Sequence, residues 1–276
     1  MSKKEKTKPD PTEFNLPPGG ADSHAHLDDE EYTQDLPEVL ARAFKAGVTS
    51  IGNVFTSVTV WQQHKDTLGA FAGVFFQLGI HPCEADLWAA QKSAVQAALK
   101  EDRRIKAVGE IGLDYYWDNQ PRALQQEVFI AQLRMARKFA LPVSIHCREA
   151  EQDTLRILQN ENFTGYPLLW HCFGGDKNLA AEILKQGWHI SVPGPVTFKK
   201  NVALREAVQH IPLSRLHLET DCPYLAPEPW RGKRNEPAFV AFTAARVAEI
   251  KEIPLAELWL ACGENTKEFF GLTRFF

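Results

Sequence analysis

The stretch AVGEIGL at residues 107–113 is a short apolar run with one carboxylate, Glu110, at its centre. The run shows no alternation of apolar and polar residues, which is typical of a strand buried on both faces of a parallel sheet. Similar runs recur along the chain on both sides of it. They predict eight strands, at Ala21–His26, Thr49–Phe55, Phe75–His81, Ala107–Leu113, Val143–Cys147, Leu168–Phe173, His189–Val192 and Leu216–Asp221.

Amphipathic stretches separate these runs. In Leu36–Ala46 apolar residues recur with the 3.6-residue period of a helix, and Gly47 then marks its end. The same pattern predicts further helices, at Pro121–Phe139, Glu149–Leu158, Asp176–Gln186, Asn201–His210 and Pro237–Ile250, with a closing helix in Glu264–Phe276.

Strand–helix units that repeat and close on themselves form a (β/α)₈ TIM barrel, an α/β fold. We predict one such domain over residues 20–276. The alternative is an open doubly wound sheet. That fold usually carries a glycine-rich turn after its first strand, and the first strand here has none.

The composition is that of a globular protein, with 276 residues, 44% hydrophobic, and a net charge of −4. This charge offers nucleic acid no general attraction, so phosphate binding requires a local basic patch or metal ions. No apolar run approaches the roughly 20 residues that cross a bilayer, so we expect no membrane contact. Residues 1–19 contain four lysines without an apolar segment and are predicted to be a disordered tail. Five cysteines without a CxxC pair indicate reduced thiols in a cytoplasmic protein, which we expect to be a monomer.

Side chains able to bind metals collect at the ends of the predicted strands, where barrel enzymes place their functional residues. His24 and His26 are two residues apart, so they share one face of a strand and can bind one ion. An isolated His-x-His pair is weak evidence, but five of the nine histidines lie at predicted strand ends. These histidines and the neighbouring carboxylates are His24, His26, His81, Glu110, His146, His171 and Asp221. Four imidazoles and two carboxylates in one barrel mouth are a surplus of buried polar groups for one cation, which indicates two.

Both carboxylates admit a structural alternative. Glu110 either bridges two cations or pairs with an arginine at the strand end. Asp221 either caps a turn or binds a metal and accepts a proton from an activated water. Cys147, Cys172 and Cys222 follow site candidates directly and are expected to point away from the barrel mouth as packing residues.

The motifs, taken together, resemble the TatD family of metal-dependent nucleases in the amidohydrolase superfamily. The matching stretches are DSHAHLD at 22–28, GIHP at 79–82, GEIGLDY at 109–115, HCRE at 146–149, HCFGG at 171–175, GPVTFK at 194–199, ETDCPYLAP at 219–227 and RGKRNEP at 231–237. They span the chain after the tail in the family's order.

The resemblance implies two divalent ions, Zn, Mn, Mg, Co or Ni, with Glu110 as the bridge. One ion is held by His24, His26 and Asp221, and the other by His146 and His171. The implied catalytic residues are Asp221 and Glu110. The family often carries a histidine where this chain has Cys83, which puts an additional metal on that loop in doubt.

The activity that the resemblance implies is a DNase, a 3′→5′ exonuclease on single-stranded DNA. The alternatives are a D-aminoacyl-tRNA deacylase and another amidohydrolase-type phosphoesterase or esterase. Many of the latter use a carbamylated lysine as the bridge, and none of the matched strand ends carries a lysine. A non-catalytic metal-dependent binder of nucleic acid is a fourth possibility.

Several residues are candidates for contacting a single-stranded DNA or tRNA substrate. Arg148 follows His146 by two residues and shares its face of the strand. Arg231 and Arg234 belong to a basic cluster whose alternative is a solvated loop, and His81 is either a substrate residue or a turn histidine before Pro82. The aromatic residues Tyr115, Phe173 and Trp230 either stack on bases or pack in the protein.

Overall fold

The eight predicted strands form one parallel sheet in a computed structural model that describes residues 8–117 and 119–272. Each strand pairs with the next in chain order, β1 to β8. The strands are β1 Gly20–Ala25, β2 Val48–Phe55, β3 Val74–Leu78, β4 Ile105–Asp114, β5 Val143–Arg148, β6 Leu168–Trp170, β7 His189–Val192 and β8 Leu216–Leu218.

The sheet closes between β1 and the chain that follows β8. The Asp221 amide donates to the His24 carbonyl at 2.9 Å, and the His26 amide donates to the Cys222 carbonyl at 2.8 Å. These bonds bring the two ends of the sheet together, so the fold is the predicted TIM barrel in a single domain.

Helices cover the outside of the barrel and alternate with the strands. Their bounds are α1 Leu36–Lys45, α2 Val58–Gly69, α3 Trp88–Glu101, α4 Arg122–Phe139, α5 Glu151–Asn160, α6 Lys177–Lys185, α7 Val202–His210, α8 Val240–Lys251 and α9 Leu255–Phe269. The closing helix α9 begins nine residues before the predicted Glu264, directly after Pro254, a residue that suits the start of a helix. The end of that prediction, residues 273–276, lies outside the described residues.

Residues 8–19 differ from the predicted disordered tail, because they pack on the barrel. Pro11–Phe14 forms a short 3-10 helix capped by the Asp10 side chain. The Phe14 ring lies 5.4 Å from that of Phe242, between centroids, and Trp259 donates to the Pro17 carbonyl at 2.9 Å. Disorder was predicted for this segment because it contains no apolar run, and the few apolar residues that pack on the barrel do not form a recognisable pattern. Residues 1–7 of the predicted tail lie outside the described part of the chain.

The bottom of the barrel is closed by an apolar layer. Phe75, Ala107 and Leu169 from three strands pack with Phe270, which follows α9. The opposite end, where the strands finish, carries the polar side chains. Within the described ranges, no helix has both the length and the apolar content needed to cross a membrane.

Candidate metal centre

The six predicted metal ligands come together at the carboxyl ends of five strands. The first group gathers around one oxygen of Glu110. The Nε2 atom of His24 lies 3.3 Å from Glu110 Oε2 and 3.3 Å from His26 Nε2. His26 Nε2 in turn lies 3.5 Å from Asp221 Oδ1. Residues from β1, β4 and the loop after β8 therefore meet at one point.

The second group gathers around the other oxygen of the same carboxylate. Glu110 Oε1 lies 2.5 Å from His146 Nδ1 and 3.0 Å from His171 Nε2. His81 Nε2 is 3.7 Å from this oxygen. The two oxygens of Glu110 therefore face different sets of donor atoms, and the two sets also touch where the His24 and His171 rings stack with centroids 3.6 Å apart.

Two irregularities in strand pairing bring these residues into place. The register between β1 and β2 shifts between Asp22 and Ala25, and that between β4 and β5 shifts between Val108 and Ile111. Such irregularities re-aim side chains and are common beside active sites. His24 and Glu110 both lie within a shifted stretch, so simple alternation along an ideal strand does not describe how they reach the site.

The donor atoms fit a divalent metal ion. Ligands about 2.0–2.2 Å from a tetrahedral metal lie about 3.3–3.6 Å from one another, and the donor atoms of the first group lie 3.3–3.9 Å apart. Imidazole nitrogen and carboxylate oxygen together suit zinc and other first-row divalent metals. His24 is fully buried, and its Nδ1 has no hydrogen-bond partner within residues 8–117 and 119–272.

The charge states of Asp221, Glu110 and His81 also suit metal binding. Burial alone raises the pKa of the Asp221 carboxyl, but its hydrogen bond with His26 and two further histidines outweigh burial and lower this pKa. The pKa of Glu110 is held well below its ordinary value against burial by His171 and His146. Burial and then His146 lower the pKa of His81 to about 3. Both carboxylates are therefore ionised at neutral pH, and the His81 imidazole is neutral.

The comparison with known families decides where this chain belongs. A family model described as TatD related DNase matches residues 21–271. The chain belongs to the TatD family. Among curated relatives, the uncharacterized metal-dependent hydrolase YabD of Bacillus subtilis is 38% identical over 251 residues, covering 91% of this chain and 98% of that protein. YcfH of Escherichia coli, also an uncharacterized metal-dependent hydrolase, is 37% identical and covers 91% of this chain and 95% of that protein.

Solved structures agree with this family assignment. The crystal structure of YjjV, a TatD homologue from Escherichia coli, superposes with a TM-score of 0.86 at 28% identity, over 92% of this chain and 98% of that one. Family, relatives and donor cluster together make this chain a metal-dependent hydrolase of the TatD family.

Two buried carboxylates of this TatD family member contact the histidines of the second group, each at the ring nitrogen that points away from Glu110. Neither carboxylate is among the predicted site residues. Asp114 Oδ2 lies 2.8 Å from His146 Nε2. Glu219, which is fully buried, lies 3.3 Å from His171 Nδ1 and accepts from the Cys172 amide at 2.6 Å. In the sequence, Asp114 and Glu219 resemble Glu110, since each is a carboxylate at the end of an apolar strand. The histidine that each one contacts lies on a different strand, so the sequence does not show the pairing.

A third buried carboxylate, Asp22, lies at the junction of β1 with the chain after β8. It accepts hydrogen bonds from the backbone N–H of Thr220 at 2.9 Å and from its hydroxyl at 2.5 Å. Burial raises the pKa of Asp22 to about 8. Asp22 therefore links the residues that flank His24 to those that precede Asp221.

The predicted substrate residues divide into two pairs. His81 lies in the cluster, with its ring centroid 4.5 Å from that of His146, and Arg148 is exposed at the end of β5. Arg231 instead lies over the ring of Phe198 at 4.2 Å. Arg234 forms a two-pronged ion pair with Asp35 at 2.7 and 2.8 Å. None of the contacts described for Arg231 or Arg234 involves a member of the cluster.

The orientation predicted for Cys172 is wrong. Its Sγ atom lies within 4.8 Å of ligand atoms of His171 and Asp221, on the side of the barrel mouth. The reason is that β6 ends at Trp170, so strand alternation no longer applies, and Cys172 has a positive φ of 47°. Cys222 is fully buried, and Cys147 accepts from the Thr154 hydroxyl at 3.4 Å.

The three aromatic residues considered for base stacking are buried or contact other residues of the protein. Phe173 is fully buried. The Tyr115 hydroxyl donates to Asp153 at 2.8 Å, and the Trp230 ring stacks on Phe239 with centroids 4.7 Å apart. For these three residues the contacts favour packing over substrate stacking.

Proposed function

We propose that this protein is a DNase that removes nucleotides from the 3′ end of single-stranded DNA with two divalent ions. The observation that carries the proposal is that the two carboxylate oxygens of Glu110 face different pairs of histidines. Oε2 faces His24 and His26, and Oε1 faces His146 and His171. The family description, TatD related DNase, supports the choice of substrate.

The residues divide into two ligand sets under this proposal. His24, His26 and Asp221 would hold one ion, and His146 and His171 would hold the second. Glu110 would belong to both sets. The ions, when bound, make water more acidic and offset negative charge that develops on a phosphate.

Asp221 acts as the proton acceptor. Its carboxyl is ionised at neutral pH, and its side chain is 15% exposed, so it contacts the cluster and remains accessible to water. A water oxygen attacks phosphorus while Asp221 takes its proton. The new phosphorus–oxygen bond forms as the bond to the 3′-oxygen of the preceding nucleotide breaks, and that oxygen takes up the proton that Asp221 then releases. Arg148, exposed on the same strand as His146, contacts the phosphate.

The test uses protein stripped by a chelator and reloaded with Mg²⁺, Mn²⁺, Zn²⁺, Co²⁺ or Ni²⁺. We expect 5′-labelled single-stranded DNA to shorten stepwise from its 3′ end, and chelator to stop the reaction. Glu110→Gln removes the bridge and Asp221→Asn removes the proton acceptor, so each is expected to slow cleavage by about 10²–10⁴-fold. Elemental analysis of the same samples reports the ions bound per chain.

Asp66→Asn is the matched control, because the Asp66 side chain is 82% exposed and lies outside the site. Cleavage near the wild-type rate by Glu110→Gln or Asp221→Asn contradicts the proposal. D-Aminoacyl-tRNA and small esters are assayed in parallel. Metal-dependent turnover of either one without any cleavage of DNA replaces the DNase assignment with that activity.

A further inference from the structure

Two aromatic side chains are exposed at the edge of the barrel mouth, in the turn after β4. Tyr116 is 50% exposed and Trp117 is 57% exposed. Their ring centroids are 5.0 Å apart and their planes are nearly perpendicular. The guanidinium carbon of Arg148 lies 3.8 Å from the Tyr116 ring centroid and 5.3 Å from that of Trp117. These three residues are called the aromatic platform below.

A buried carboxylate holds this turn in one conformation. Asp114 Oδ1 accepts hydrogen bonds from the backbone N–H groups of Tyr116 and Trp117, both at 3.0 Å. The Asp114 backbone is fixed in turn by Gln125, which donates to its carbonyl and accepts from its amide. Asp114 and Gln125 are each 1% exposed. The two rings are therefore presented to solvent by a well-anchored turn.

The platform adjoins the metal centre. The second oxygen of Asp114 lies 2.8 Å from His146 Nε2, so the same carboxylate holds both the aromatic turn and a proposed metal ligand. Arg148 follows His146 by two residues on β5, about 6.6 Å along a strand. A substrate phosphate at the metal centre thus has the platform beside it.

Packing within the protein does not account for the exposed positions of the Tyr116 and Trp117 rings. Among the exposed large hydrophobic side chains of the described residues, Trp117 has the largest exposed fraction. The neighbouring Tyr115, by contrast, is only partly exposed and uses its hydroxyl to bond Asp153. Tyr224, 54% exposed and three residues after Asp221, has its ring centroid 6.2 Å from that of His26 in the first group. Exposed aromatic rings thus lie beside His26 as well as near His146.

We propose that the aromatic platform binds a nucleobase of the substrate strand, a role that rests on the DNase function proposed above. The base stacks on the Trp117 ring. Arg148 covers Tyr116, and its N–H groups contact the phosphate next to that base. Stacking on an aromatic ring accepts every base, because each base has a π face, and a guanidinium adds attraction to the ring system. The platform therefore selects nucleic acid over small esters without selecting a base sequence.

The test measures equilibrium binding of a fluorescein-labelled 12-nucleotide thymidine strand, in chelator so that it is not cleaved. A second strand lacks the bases at its two 3′-terminal positions. We expect wild type to bind the complete strand about tenfold more tightly than the abasic one. Trp117→Ala is expected to bind both strands equally, at the weaker level, and Trp117→Phe to restore most of the difference. With metal restored, Trp117→Ala is expected to raise KM and leave kcat close to wild type.

Phe44→Ala is the matched control, an aromatic residue 37% exposed on α1 and outside the site. Metal content and melting temperature of each variant show whether the fold and the metal centre are intact. If Trp117→Ala still discriminates between the two strands, or if wild type does not discriminate, the platform is refuted. Cleavage of DNA by wild type in that case leaves the DNase function standing. Wild type that neither binds the strand in chelator nor cleaves it with metal restored overturns both proposals.

Discussion

Glu219 illustrates how a residue outside the proposed ligand set orients a proposed metal ligand, His171. Its carboxylate faces Nδ1 of His171, whose Nε2 faces Glu110 on the other side of the ring. A carboxylate behind a histidine fixes the tautomer and the ring orientation and makes the opposite nitrogen a better ligand. Asp114 has the same relation to His146, with the two nitrogen atoms exchanged.

We predict that Glu219→Gln weakens metal binding by about 10–100-fold, because the amide replaces a charge-assisted contact to His171. Competition with a chelating dye of known affinity measures the effect. Asp153→Asn is the control, since Asp153 bonds Tyr115 and Arg156 and not a member of the cluster. Unchanged metal affinity in Glu219→Gln means that Glu219 does not support the ligand.

At the scale of elements, two ion pairs fasten the loop after β8 to helix α1. Arg234 binds Asp35, the residue before α1, and Arg42 on α1 binds Glu236 with its closest atoms 2.7 Å apart. The loop that looks basic in the sequence is therefore tied down by acidic partners. This arrangement assigns Arg234 a structural contact instead of a phosphate contact.

The Arg234 pair is expected to make stability depend on pH. The hydrogen bond from Arg234 lowers the pKa of Asp35 from its ordinary value of 3.8. A depressed folded-state pKa contributes stability above the unfolded value, and that contribution is lost as the pH falls below about 4. Asp35→Asn should therefore lower the free energy of unfolding by at most about 1 kcal/mol at pH 7, because the pair is partly solvated, and by less at pH 3.

Urea unfolding of wild type and Asp35→Asn at both pH values checks this expectation. Asp66→Asn changes a far more exposed carboxylate and should show almost no difference at either pH. A destabilisation by Asp35→Asn that is equal at pH 7 and pH 3 would show that the charge on Asp35 is not responsible.

At the scale of the whole molecule, α9 covers the junction where the barrel closes. Trp259 on α9 lies so close to Gly20 that a Cβ there would fall 1.9 Å from its ring. Gly263 faces the backbone of Gly19 in the same way, with 2.0 Å between an added Cβ and the Gly19 carbonyl oxygen. Phe270, which directly follows α9, then joins the apolar layer at the bottom of the barrel.

Gly263→Ala is expected to destabilise the protein by about 1–3 kcal/mol, lowering Tm by about 3–10 °C, because the opposing atoms are backbone and cannot rotate away. Differential scanning calorimetry measures the shift. Ala256→Ser on the exposed side of the same helix should change the stability by less than about 0.5 kcal/mol. A Gly263→Ala protein as stable as wild type would contradict the close approach of α9 to β1.

Strand bounds show where prediction from the sequence reaches its limit. The predicted His189–Val192 agrees with β7, whereas the strands predicted to end at His81, Phe173 and Asp221 end three residues earlier. An apolar run continues past the last paired residue into the loop that carries the site. Hydrophobicity alone does not mark where pairing stops, since pairing depends on the neighbouring strand.

The sequence by itself determined the barrel and the chemical nature of the site. Eight unalternating apolar runs specify a parallel sheet, and the histidines and carboxylates at their ends specify a divalent metal. Only the tertiary structure decided that Asp114 and Glu219 stand behind His146 and His171, and that Arg234 binds Asp35. These contacts join residues 32 to 199 positions apart through specific side-chain rotamers, and a local sequence pattern carries no information on them.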